Sequence, residues 1–336
     1  MKDFVLSLVV VLMGLWSGIL LSDEVLDKKL QMFSDKMETE YQFKSDEVLA
    51  VLKNLEIKQN IIDKMNNPAE SLAWYQYRPI WMKEKRITGG AEFFKEYKET
   101  LEKAEKEYGV DKMMIVAIIG IESFYGKHQG SHAVLDSLYT LGFHYPKREV
   151  FFNSELEQYF LLAREQQWSL PDIKGSYAGA MGMGQFISSS YRNYGVDYNE
   201  DGKVDLFNDP VDMIGSIANY FKRHGWKSGK FVAKKIELEE QQIETLVQKK
   251  LKLTKKLSEL ETSKFSVGEM KDKDAVVGVF AFEQKNSSEY WLVAKNFYTI
   301  TRYNHSAMYA LAAFQLSGAI AEAVNNDENN LSNQSK

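Results

Sequence analysis

Eighteen uncharged residues, Phe4 to Leu21, follow Met1-Lys2-Asp3. The run is apolar on every face, long for a signal peptide's apolar region and at the short edge of a membrane span. It predicts export. Ser22 offers a small residue for cleavage, but Leu20 is not the small partner wanted two positions earlier, so an uncleaved N-terminal anchor is the alternative to a removed signal. From Asp27 to Asn66, apolar residues recur at helical spacing (Val48, Leu49, Val51, Leu52, Leu55, Ile61, Ile62) and predict helices. A polar connection containing Pro79, Gly89 and Gly90 follows. Glu92 to Tyr108 places Phe93, Phe94, Tyr97, Leu101 and Ala104 on one face, an amphipathic helix ending before Gly109. Lys112 to Ile121, KMMIVAIIGI, is apolar all round and predicts a helix buried on all sides. Leu156–Arg164, Ile187–Tyr191 and Val211–His224 also read as helices.

The pattern changes at Phe231. Lys234 to Lys264 spaces Ile243, Leu246, Leu253, Leu257 and Leu260 on a seven-residue rhythm broken by Lys250, which predicts a charged surface helix rather than a coiled-coil site. Ala275–Phe282 and Tyr290–Tyr298 are rich in β-branched and aromatic residues and predict strands. Met308–Val324 predicts a closing amphipathic helix, and the Asn-rich tail beyond it predicts disorder. The fold class is α+β, mainly α, with a small β-containing region.

Composition narrows the function. With 44% apolar and 26% charged residues, the 336-residue chain is globular and large enough for a real core. A net charge of −5 argues against nucleic acid as a partner. The absence of cysteine excludes disulfides, thiolate metal sites, a cysteine nucleophile and a lipid on an N-terminal cysteine.

Four constellations could carry chemistry. Glu122 ends the apolar run, where desolvation favours the neutral carboxyl and suits a general acid; a Glu so placed more often marks where a chain reaches water. Gly175 to Phe186, GSYAGAMGMGQF, has four glycines in its first ten residues, so the backbone can approach a ligand or another helix closely; it lacks the Lys-Ser/Thr end of a phosphate loop. Asp197-Tyr198-Asn199-Glu200-Asp201-Gly202-Lys203-Val204-Asp205 matches the first nine positions of an EF-hand loop, with Asn208 where the bidentate Glu belongs. Asp209 or, better, Asp212 could supply that carboxylate. Hard oxygen donors favour a structural Ca²⁺. The last is aromatic, from Asn296 to Ser306 with Tyr309, Tyr77 and Tyr220, and offers flat faces and donors to a sugar or, equally, core packing.

Taken in order, IIGIESFYG (118–126), FHYPKR (143–148), the glycine-rich segment, the Asp197 loop and NFYTITRYNHS (296–306) resemble the lytic murein transglycosylase B family. The similarity runs from about Phe43 to Val324 and is weakest between Phe231 and Trp291. The resemblance implies a lysozyme-like helical core, an additional helical region and a small β-containing region. It implies a lytic transglycosylase that cleaves the β-1,4 bond between N-acetylmuramic acid and N-acetylglucosamine in peptidoglycan and leaves a 1,6-anhydromuramyl end; a lysozyme-like muramidase and a noncatalytic peptidoglycan-binding scaffold are the alternatives. The expected division is 1–22 signal or anchor, 23–110 helical region, 111–230 catalytic core, 231–290 variable insertion, 291–325 return to the core and 326–336 tail. By position, Glu122 matches the single acid/base. Tyr77, Lys147, Arg148, Ser176, Gln185, Tyr220, Tyr303, Asn304 and Tyr309 match glycan-groove residues. Asp197, Asn199, Asp201, the Lys203 carbonyl and Asp212 fall on the family's calcium loop. No cofactor is needed for catalysis. Partners implied are glycan strands and cell-wall synthesis or division proteins, for a periplasmic or envelope monomer touching membrane only through its N-terminus. This chain departs from the family at Met183, where relatives carry an aromatic, at Lys147, where Arg is familiar, and in lacking the lipid-anchoring cysteine.

Overall fold

The computed structural model describes residues 24–66, 72–260 and 274–334. The apolar run at Phe4–Leu21 and the last residues of the 234–264 segment lie outside them. The chain forms two compact units, the first holding, among the described residues, 24–66, 131–180 and 187–189, and the second 72–130, 181–186, 190–260 and 274–334.

In the first unit, helices Val134–His144 and Glu149–Gln166 pack together, joined by a short turn at Pro146–Arg148. Leu135, Leu138, Phe152, Leu156 and Tyr159 form their buried seam, and helix 24–41 adds Leu30, Phe33 and Met37. Phe33 meets Phe143 edge-on at 5.9 Å. Two-residue strands His132–Ala133 and Lys174–Gly175 pair antiparallel and anchor the turn that follows Gly175. Glu155, buried on this seam, accepts from the Ser189 N–H (2.9 Å) and hydroxyl (2.7 Å). Burial raises its pKa against those two bonds. The folded state therefore binds more protons at Glu155 than the unfolded state, and ionisation as pH rises costs stability. Glu155→Gln is expected to melt at or above the parent near neutral pH, by a margin that shrinks on acidification. Glu155→Ala, which removes the acceptor of two buried hydrogen bonds, should lose about 1–3 kcal/mol. Thermal melts across pH check both.

The second unit is built around helix Lys112–Ser123, whose residues Met114 to Ile121 are all buried, as its all-round apolar sequence predicts. Asp111 caps its start by accepting from Met113 and Met114 N–H at 2.8 and 3.1 Å. Helices Glu84–Glu96 and Ala307–Gln334 pack on it. Ala307–Asn329 is apolar and long enough to cross a membrane, but Leu311, Ala312, Leu316 and Ile320 are fully buried, so its apolar face belongs to the core. A four-stranded antiparallel sheet pairs Ala233–Ile236 with Ser288–Val293, then Val276–Glu283, then Lys255–Lys256.

Several expectations are corrected. The Tyr77–Gly90 stretch is helical, as Trp74–Trp81 and Glu84–Glu96, because Gly89 and Gly90 serve close packing rather than a loop: a Cβ on Gly90 would sit 2.6 Å from the Tyr125 hydroxyl. The Glu92–Tyr108 helix breaks at Tyr97. The 234–264 helix does not form; strand Ala233–Ile236, helix Glu240–Leu246, strand Lys255–Lys256 and helix Leu257–Leu260 replace it. Its leucine rhythm is split between two short helices that set Leu246, Leu257 and Leu260 on Val277, Val279 and Leu292 of the sheet, so tertiary burial overrides one continuous helical spacing. The second strand stops at Val293, and Lys295–Tyr303 is a helix, with Asn296 tied to Lys227 and Lys230 backbone atoms. The Asn-rich tail continues the last helix to Gln334.

Candidate active site

Helix Lys112–Ser123 ends in a turn where Phe124, Tyr125 and Gly126 all have positive φ (52°, 60° and 84°). Left-handed conformation at two non-glycine residues costs about 1–3 kcal/mol each and persists only where the surroundings over-determine it. They do so here. Phe124 and Tyr125 N–H donate back to Gly120 and Ile119 carbonyls at 3.2 and 3.3 Å, and Gly126 N–H donates to Ser123 Oγ at 2.9 Å. Arg86 reinforces the turn. Its Nε donates to the Gly120 carbonyl (3.0 Å) and Nη1 to the Ile80 carbonyl (2.7 Å), while its guanidinium lies over Trp81 and Phe124 at 5.0 and 5.3 Å. Tyr125 donates to the Arg86 carbonyl at 2.6 Å and lies so close to Gly120 that a Cβ there would meet its hydroxyl at 2.5 Å. Glu122 sits half-buried in this last helical turn between buried Ile121 and Ser123.

Tyrosines surround the carboxylate. Tyr309, 2% exposed, donates its hydroxyl to Glu122 Oε1. Burial, then the Glu122 charge, raises its pKa well above the ordinary tyrosine value, so it stays a donor across neutral pH. The same causes raise Tyr303, which donates to the Gly184 carbonyl at 2.7 Å. Tyr303 meets Tyr220 edge-on at 4.9 Å and Phe186 at 5.7 Å. Tyr220 donates to the Arg302 carbonyl (2.5 Å) and stacks on His224 at 4.0 Å. Tyr77 is 1% exposed between Trp74 and Trp81, inside the core rather than on an open face. Asn304, half-buried, follows the Lys295–Tyr303 helix. Gln185, half-buried at φ 51°, donates Nε2 to the Gly182 and Gln129 carbonyls at 3.0 and 3.1 Å. Met183 is buried, its sulfur 3.1 Å from where a Cβ on Gly126 would stand.

Three site residues belong to the first unit. Ser176 Oγ accepts from Ala178 and Ala180 N–H at 3.2 and 3.0 Å, which shapes the glycine-rich turn. Lys147 and Arg148 are exposed, with the Arg148 guanidinium 4.2 Å from the centre of the Phe151 ring.

The acidic loop is wrapped. Asp197 accepts from Asp201 N–H (3.0 Å) and Gly202 N–H (2.7 Å), Asn199 Oδ1 from Asp201 N–H (2.9 Å), and Asp201 from Lys203 N–H (2.9 Å), with Gly202 at φ 92°. By chemistry, the oxygens of Asp197, Asn199 and Asp201 and the Lys203 carbonyl fit a hard cation. Asp212, the remaining expected ligand, bonds to the backbone of the same loop. It is 1% exposed and accepts from Tyr198 (2.7 Å), Asn199 (3.4 Å) and Asp205 (2.9 Å) N–H, closing the loop from the next helix. Burial raises its pKa against those bonds. Asp209 caps that helix through Val211 N–H at 2.7 Å. Among the described residues no three His, Asp or Glu side chains converge as a metal cluster.

Sequence reading missed Arg86, Tyr125 and Gln129 as parts of this wall. The signal available for Tyr125 was Gly120 inside the apolar helical run, which marks close approach by a large side chain. Nothing in the sequence marked Gln129.

Residues 26–318 match the family described as Transglycosylase SLT domain. Membrane-bound lytic murein transglycosylase B of Escherichia coli is 36% identical over 303 residues, covering 87% of this chain and 82% of its own length. The crystal structure of soluble lytic transglycosylase SltB1 from Pseudomonas aeruginosa superposes with a TM-score of 0.82 at 42% identity, covering 88% of this chain and 99% of that one. A structure of an Escherichia coli lytic transglycosylase in complex with calcium gives 0.80 at 36% identity, with coverage of 88% and 93%.

Proposed function

The chain belongs to the lytic murein transglycosylase B family, and from that premise we propose that Glu122 is the single acid/base with which this peptidoglycan lytic transglycosylase works. The observation that carries the reading is the Glu122 carboxylate fixed at the end of a buried helix, with one oxygen held by the Tyr309 hydroxyl. As a carboxylic acid, Glu122 gives its proton to the oxygen of the β-1,4 bond between N-acetylmuramic acid and N-acetylglucosamine as the bond to the muramyl C1 breaks. The resulting carboxylate stabilises the positive charge at C1, then takes the proton of the muramyl 6-hydroxyl as that oxygen bonds to C1. The proton count closes with no water consumed, the product is a 1,6-anhydromuramyl end, and one carboxylate does the work of the usual two.

In the second unit, Gln185, Tyr220, Tyr303 and Asn304 are assigned to the glycan, with Tyr309 and Tyr77 setting the wall behind Glu122. In the first, exposed Lys147 and Arg148 suit the lactyl and peptide carboxylates of murein, and Ser176 a sugar polar group. The chain works in the cell envelope, with its N-terminal segment either a removed export signal or an anchor. A relative solved in complex with calcium supports the cation reading. Incubation with purified sacculi tests the function: release of soluble fragments is expected, and tight binding without release would make the protein a scaffold.

Asp197, Asn199, Asp201 and the Lys203 carbonyl are assigned to a structural Ca²⁺. At a hundredfold excess over Kd, calcium should stabilise the fold by about 2.7 kcal/mol, read as a melting temperature several degrees higher. Asp201→Ala should abolish that rise without changing the melt in chelator by more than a degree or two; a rise retained in full would count against the assignment.

A further inference from the structure

Gln129, just past the turn that ends the catalytic helix, makes contacts the glycan reading does not use. Its Nε2 donates to the Gly126 carbonyl at 3.2 Å and to the Phe207 carbonyl at 2.9 Å, joining that turn to the exit of the acidic loop. Its own backbone carbonyl accepts from Gln185 Nε2 at 3.1 Å. Its Oε1 is buried and has no hydrogen-bond partner among the described residues. An orphaned buried acceptor is costly, so an amide here is a poor choice unless its two N–H bonds are needed.

What they hold is the far end of the link. Gln185 has φ 51°, a left-handed conformation that a non-glycine residue keeps only under outside constraint. That constraint is the Gly182 carbonyl, which accepts from Gln185 N–H (3.2 Å) and Nε2 (3.0 Å), together with the Gln129 carbonyl. The same segment is fixed to the loop exit by Met183 N–H on the Leu206 carbonyl at 2.9 Å. Glycine-rich segment, loop exit and post-helix turn therefore meet at one amide.

We infer that Gln129 is a positioning residue for the transglycosylase: by clamping Gly126 and Phe207, its side chain fixes the carbonyl that holds Gln185 in place for the glycan. The inference rests on the assignment of Gln185 to the glycan. The side chain of Gln129 touches neither substrate nor Glu122 in this role; it acts through Gln185.

Gln129→Met keeps the length of the side chain and removes both donors. On a soluble glycan-strand fragment, Gln129→Met and Gln185→Ala should each lower kcat/KM about tenfold, mostly through KM, and the double variant should be no worse than Gln185→Ala within about twofold. The pH profile of kcat should be unchanged in all three. Additive losses would overturn the inference and leave Gln185 as a glycan contact. Unaltered kinetics of Gln185→Ala would overturn both. If Gln129→Met does not fold, Gln129→Glu serves: its carboxyl regains one donor when protonated, so its activity relative to the parent should rise as pH falls, and a ratio independent of pH would contradict the role.

Discussion

Glu122→Gln is expected to lower the release of soluble muropeptides from murein by about 10²–10⁴-fold, the usual contribution of a positioned proton donor. The substitution is nearly isosteric. A Gln can still accept from the Tyr309 hydroxyl at Oε1, so the hydrogen bond that fixes the side chain survives and the melting temperature should stay within a degree or two of the parent. Only the transferable proton is lost. A folded Glu122→Gln that released muropeptides at the parent rate would remove Glu122 from the chemistry.

Tyr309→Phe should reduce kcat by about 10- to 150-fold, the equivalent of the 1.5–3 kcal/mol that a hydrogen bond to a charged group contributes. The ring stays in its buried site; only the donor on Glu122 Oε1 goes. Because burial and the Glu122 charge hold the Tyr309 pKa far above neutrality, the hydroxyl is a donor at every pH at which the protein is assayed, and the defect should persist across neutral pH. KM should change little, since Tyr309 is too deeply buried to contribute binding area. If instead KM rose and kcat held, Tyr309 would be a glycan contact and not a support for the carboxylate.

Much of this site was legible in the chain because its signals are local. KMMIVAIIGI specifies a helix apolar on every side, and a carboxylate directly after it stands out for that reason. Five ordered motifs then made the family readable where no one motif would. What was not legible depends on contacts distant in sequence. Gly89 and Gly90 looked like a loop because the tyrosine that needs their missing side chains lies at position 125. The leucines of 246–260 kept a helical rhythm by coincidence, since the sheet that buries them is completed only by Val276–Val293. Asp212 accepts from three backbone N–H groups and so closes the acidic loop from the next helix, a role that its spacing does not reveal. The aromatic cluster was ambiguous between groove and core, and the structure divides it: Tyr77 and Tyr309 are buried, while Tyr303 stays half-exposed beside Gly184.

The most direct test of the central claim is the mass of the glycan ends released from purified sacculi in ¹⁸O-labelled water. If Glu122 sends the oxygen of the muramyl 6-hydroxyl to C1, the new ends are anhydromuramyl, lighter than reducing ends by one water and free of label. Reducing ends carrying ¹⁸O would show that water is the nucleophile and that the protein is a muramidase, contradicting the one-carboxylate transglycosylase derived from Glu122 and Tyr309.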